Sequence, residues 1–89
     1  MEKDKKKILD DLLQYLKLGN PLIARLKNIP LDKSLVELGY LDSFGVVELV
    51  VFLEKSHKMK IDDDEITREK FGSINKMVKL VHEKQNVKK

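Results

Sequence analysis

Apolar residues recur along this chain at the three- and four-residue spacing of amphipathic helices, and no stretch alternates long enough to predict a strand. Ile8, Leu9, Leu12, Leu13 and Leu16 form one stripe, which predicts a first helix over Lys3–Leu18. Gly19 then follows the last apolar residue and Pro21 comes two later, so the stop is clear. Tyr15 falls beside the stripe, at the expected rim of the core. Lysines at the start oppose the helix dipole, so residues 1–4 are expected to fray.

Pro21 to Leu41 reads as a long connection, because Pro21 and Pro30 forbid one continuous helix. Leu22, Ile23 and Leu26 suit a single helical turn or more. Leu31, Leu35 and Leu38 are expected to plug the loop onto the core, and Ser34 to cap a turn ending at Gly39. A loop of this length in a small domain tends to be functional.

The second main helix is predicted over Ser43–His57, with Asp42 or Ser43 as its cap, since a short side-chain oxygen reaches an unpaired first-turn N–H. A helix needs one apolar stripe to face a core, and this one has two. Val46, Leu49, Val50 and Leu53 make one, and Phe44, Val47 and Val51 the other. One builds the core. The other is covered by something else or is a docking surface, and Phe44, Val47 and Val51 are assigned to that outward role. Gly45 costs about 1 kcal/mol relative to alanine in the first turn. Its lack of a side chain leaves room beside Ser43.

Asp62 and Glu65 have capping-box spacing, and a short third helix is expected between Asp63 and Phe71, with Ile61, Ile66 and Phe71 inward. Ser73 is expected to cap a last helix over Ile74–Lys84, whose inner face is Ile74, Met77, Val78 and Val81. Residues 85–89 are expected to be loose. The sum is an all-α four-helix bundle with a long first loop and a short third helix, one domain over 1–89.

Size narrows what such a bundle can do. A chain of 89 residues buries roughly 60–65% of its unfolded surface and leaves no room for a large enclosed substrate pocket. Without cysteine it has no disulfide, thiolate nucleophile or thiolate metal ligand. No secretory apolar region follows the charged start, and no run nears the ~20 apolar residues that span a bilayer, so a cytoplasmic protein without membrane insertion is expected. Net charge is +3, yet Pro30–Ile66 holds nine acidic residues against four basic ones. That centre carries −5 and the two flanks together +8, so a partner meeting the middle should be basic.

Other chemistries read weakly. Asp62–Glu65 lacks the alternating ligands and central glycine of a calcium-binding hand, and reads as a solvated helix start. His57 and His82 stand alone and are expected at the surface or rim, assigned to neither metal nor acid–base work. The lysines at Lys3–Lys7 and Lys84–Lys89 lack interleaved aromatics, so solvated termini are expected rather than a nucleic-acid interface.

The run Leu38-Gly39-Tyr40-Leu41-Asp42-Ser43-Phe44, with Val47-Glu48-Leu49 one turn on, resembles the phosphopantetheine attachment motif of acyl carrier proteins. The likeness continues through Ile61–Ile66 and Phe71–Ile74, covering about Leu35 to Val81. Two residues, Tyr40 and Leu41, separate the Leu-Gly from the Asp-Ser, where most fatty-acid-synthesis carriers have one. That spacing, with Ile66–Phe71, is similar to the D-alanyl carriers and other aminoacyl carriers.

The resemblance implies a 4'-phosphopantetheine arm on Ser43, beside Asp42, bearing an acyl or aminoacyl thioester. It implies a non-catalytic monomer served by a phosphopantetheinyl transferase, a loading ligase and downstream transferases. Phe44, Val47 and Val51 would give these partners an apolar stripe, and Asp42, Glu48 and Glu54 negative charge. Fatty acyl, polyketide, amino-acid and D-alanyl cargoes all fit such an arm. The alternative is an unmodified helical module that binds partners through the same helix surface.

Overall fold

A computed structural model of the protein describes residues 2–87, with side chains from 5 to 85. Its elements are α1 (Glu2–Gly19), α2 (Pro21–Ala24), α3 (Ser43–His57), a 3-10 turn (Asp63–Glu65), α4 (Arg68–Phe71) and α5 (Ile74–Val87). The all-helical architecture expected of an acyl-carrier-like bundle is therefore found, with no strand among the described residues. The expected short third helix is split into two pieces. Thr67 causes the break: its hydroxyl accepts from Lys70 N at 3.2 Å and starts α4 afresh. α5 runs three residues past its predicted end at Lys84. The fraying expected of 1–4 and 85–89 falls largely on side chains outside the described residues.

The core is one cluster built from all the long helices. Ile8, Leu12 and Leu16 of α1 meet Leu49, Val50 and Leu53 of α3 and Ile74, Met77, Val78 and Val81 of α5. Ile61 and Phe71 point inward as expected, and Leu80 and Ile23 join them. At the rim Tyr15 stacks on Phe52, ring centroids 4.2 Å apart and planes 14° from parallel. Burial, with Glu48 nearby, pushes the Tyr15 phenol above its ordinary range.

The first loop is tied down by polar bonds more than by leucine plugs. Leu35 is buried and Leu31 half-buried, but Leu38 is exposed, contrary to its expected role. Leu38 lies in the turn that Ser34 caps through Glu37 N, and Leu35 already fills the inward position. At the far side of the bundle, Asn75 N donates to Leu31 O at 2.9 Å and Asn75 Nδ2 to Asp32 Oδ1 at 2.6 Å.

His57 and His82 are corrections. Both imidazoles are largely buried rather than at the surface, His57 with only 7% of its side chain exposed. His57 sits where α3 meets α1 and α5. Its Nδ1 lies 3.4 Å from Gln85 Nε2 and its Nε2 3.9 Å from Asp11 Oδ2. Among the described residues no helix is long and apolar enough to cross a membrane.

Candidate functional site

The entry to α3 is assembled from three segments. Gly39 adopts φ +88°, a backbone shape that favours glycine, and so turns the chain after the Ser34-capped loop. Tyr40 N and Leu41 N both donate to Leu35 O, at 2.9 and 3.2 Å. Asn20 supplies the third tie. Its Oδ1 accepts from Leu22 N and Ile23 N to cap α2, while its Nδ2 donates to Tyr40 O at 2.7 Å. One amide thus fixes the end of α1 against the residue three places before Ser43. Sequence reasoning passed over Asn20, although an asparagine directly before a proline at N1 is a helix-start signal.

Asp42 is the cap, with extended backbone and Oδ1 accepting from Gly45 N at 2.8 Å. Ser43 is the first residue of α3 and is exposed, as is Asp42. By position the N–H groups of Ser43 and Phe44 have no intrahelical acceptor. The hydroxyl therefore stands in solvent at the positive end of a 15-residue helix dipole. Gly45 is explained by close packing. A Cβ there would lie 3.2 Å from Leu41 Cδ2 and 3.4 Å from Asp42 Oδ1, so it would press on the cap and the preceding leucine.

Beyond Ser43 the two stripes of α3 separate cleanly. Leu49, Val50 and Leu53 are buried and Val46 half-buried. Phe44 is 70% exposed, Val47 58% and Val51 43%. They continue from Ser43 down one face, with Glu48 exposed among them. Glu54 differs from the expected pattern. It is half-buried, and its Oε2 accepts from Ile61 N at 2.8 Å, so its carboxylate holds the turn that follows α3. That turn ends α3 through Lys58 in the left-handed conformation, φ 51°.

A smaller cleft of about 210 Å³ opens where the first loop and the start of α3 meet α4, lined by Leu35, Val36, Leu41, Val46, Ile66 and Phe71 among others. Glu37 and Arg68, which also line it, form an ion pair. Asp62–Glu65 is used internally. Glu65 accepts from Asp62 N at 2.9 Å and from Lys84 Nζ at 2.7 Å, and those two bonds hold its carboxyl below the usual range. Among the described residues no group of three or more His, Asp or Glu side chains is placed to hold a metal ion.

Comparison with known proteins gives a consistent set. The chain is 44% identical over 55 residues to the D-alanyl carrier protein of Streptococcus uberis, covering 62% of this chain and 70% of that one. It is 38% identical over 56 residues to the D-alanyl carrier protein of Streptococcus pyogenes, 63% of this chain and 71% of the other. No protein-family model matches the chain, and no solved structure matches it significantly.

Proposed function

Because the chain belongs to the carrier-protein family, close to the D-alanyl carrier proteins, we propose that it carries an aminoacyl group, D-alanine in the first instance, on a 4'-phosphopantetheine arm attached at Ser43. The observation that carries this reading is the exposed serine at the first position of α3, next to an apolar face that the fold does not use.

The residues present fit the arm. Its phosphodiester would join the Ser43 oxygen, where the helix dipole and the first-turn N–H groups of Ser43 and Phe44 favour negative charge. Asp42 does not compete for that place, since its carboxylate is committed to Gly45 N. When bound, the arm supplies a terminal thiol whose thioester keeps the cargo carboxyl reactive. The protein's own share is presentation. Asp42, Asn20 and Gly39 fix where Ser43 stands, and the remaining carrier work is recognition.

Recognition falls to Phe44, Val47 and Val51 with Glu48 and Asp42. An apolar stripe beside acidic side chains suits partners that offer lysine or arginine around an apolar patch. Such contacts give fast, salt-sensitive association and ready release, as a carrier visiting several enzymes requires. The partners are then a phosphopantetheinyl transferase, an adenylating ligase and a downstream acyl-group acceptor enzyme, each acting on the chain.

Cargo is tested by loading the arm-bearing protein with ATP and an amino-acid-adenylating ligase, offering D-alanine, L-alanine and a fatty acid in parallel. The intact mass should rise by one alanyl group in the D-alanine reaction. Loading by the fatty acid alone, with its own ligase, would overturn the aminoacyl reading.

A further inference from the structure

A cavity of about 780 Å³ among the described residues opens beside the turn that follows α3, at the other end of that helix from Ser43, and is lined by lysines from three separate segments. Lys58 and Lys60 come from the turn after α3, Lys70 from α4, and Lys76, Lys79 and Lys84 from α5. Glu65, Glu69 and Glu83 share the lining, so the groove keeps a net charge of +3. Met59 and Leu80 line it as well. Lys84 is held by Glu65, and Lys76 Nζ donates to Arg68 O at 3.2 Å. Lys58, Lys60, Lys70 and Lys79 are exposed and make no ion pair among the described residues. Apart from Lys84, none of these lysines was notable along the chain, where Lys58 and Lys60 sit within the acidic centre.

We propose that this groove is a docking surface for an anionic phospholipid bilayer, holding the carrier against a membrane with Ser43 turned away from it. The cations are all lysines. A guanidinium would offer the planar fork that pairs with one carboxylate in fixed geometry, whereas ammonium groups act as mobile point charges. Several point charges around a small apolar floor suit a field of lipid phosphates, each lysine adding a modest attraction. A protein partner would want an exposed aromatic or large aliphatic contact, and of the groove's apolar residues Leu80 is buried and Met59 half-buried. Single-stranded nucleic acid would want aromatic rings for base stacking, and no aromatic residue lines it.

The geometry suits the carrier reading without depending on it. Lys58 directly follows α3 and Ser43 begins it, so the two ends are separated by roughly 22 Å at 1.5 Å per residue. A bilayer at the lysine end leaves Ser43, beside the exposed Asp42 that lipid phosphate would repel, free for partner enzymes.

Flotation with lipid vesicles tests the proposal, using the unmodified full chain so that Ser43 chemistry plays no part. The protein should float with phosphatidylglycerol-containing vesicles at low ionic strength, and stay behind with pure phosphatidylcholine or at high salt. Reversing Lys58, Lys60 and Lys79 to glutamate should weaken binding by more than about tenfold. Reversing Lys5, Lys6 and Lys7 at the start of α1 should not. Should the triple variant lose its helical spectrum, chemical-shift changes of the wild type on phosphatidylglycerol bicelles decide instead, and they should centre on 58–60 and 76–84. Absence of vesicle binding, equal loss from the α1 variant, or shifts centred on α1 would each overturn the proposal. In the first case an acidic protein partner is the occupant to seek.

Discussion

α3 and α5 are nearly the same length and both cross the core, yet they use their apolar residues in opposite ways. α5 buries all of Ile74, Met77, Val78, Leu80 and Val81 and turns Lys76, Lys79 and Glu83 outward. α3 buries Leu49, Val50 and Leu53 and leaves Phe44, Val47 and Val51 in water. A helix whose apolar surface matches its packing partner is explained by stability alone. Apolar surface that the fold does not bury, beginning one residue after an exposed serine, is not explained by stability, and the proposed docking role would account for it.

The sharpest way to break this contrast is to truncate one residue on each face. Leu53 is fully buried, so Leu53→Ala should cost about 2–5 kcal/mol of unfolding free energy by chemical denaturation. Phe44→Ala should shift the same measurement by less than about 0.5 kcal/mol. Equal losses would mean that Phe44 is a core residue after all.

Gly72 tests the joint between α4 and α5. A Cβ there would collide with the Arg68 backbone carbonyl, and backbone cannot swing aside as a side chain can. Gly72→Ala should therefore destabilise by about 1–3 kcal/mol. A neutral result would show that α4 shifts easily, and that the joint is looser than drawn.

His57 makes the inner side of α3 sensitive to pH. Burial lowers its pKa, opposed in part by Asp11 and aided by Lys7, so the folded state favours neutral imidazole. The unfolded chain takes up a proton as pH falls through the ordinary value of 6.5, and the folded chain only at lower pH. Stability from this group is thus complete above 6.5 and declines as pH falls below it. The melting temperature should drop between neutral and mildly acid pH, and His57→Phe should flatten that slope. Glu65, whose pKa is also lowered, contributes stability that is lost only below its ordinary value of 4.5, which separates the two windows.

The smallest effect on stability should carry the largest effect on partners. Val47→Ala and Glu48→Lys should leave the melting temperature nearly unchanged while slowing modification and loading, with Glu48→Lys also reducing the salt dependence of the rate. Unchanged rates in both variants would remove α3's outer face from recognition.

Much of this was legible in the sequence because local chemistry determines it. Asp42-Ser43 before an apolar run fixes the start of α3, Gly19 and Pro21 the end of α1, and Ser73 the start of α5. Even the doubled stripe of α3 is visible as spacing. What escaped depends on where distant segments meet. His57 looks like an isolated polar residue until α1 and α5 close over it. Glu54 looks like a surface charge until Ile61 returns to it. Leu38 looks like a plug because its neighbour Leu35 does that work. The lysine groove joins positions 58 to 84, so no window along the chain could reveal it.

The central claim is that the Ser43 hydroxyl is the point at which an arm is attached. Incubating the protein with coenzyme A, magnesium and a broad-specificity phosphopantetheinyl transferase, then measuring intact mass, tests it directly. The account predicts a gain of one phosphopantetheine in the wild type and none in a folded Ser43→Ala variant. No gain in the wild type, or the same gain in both proteins, would contradict it.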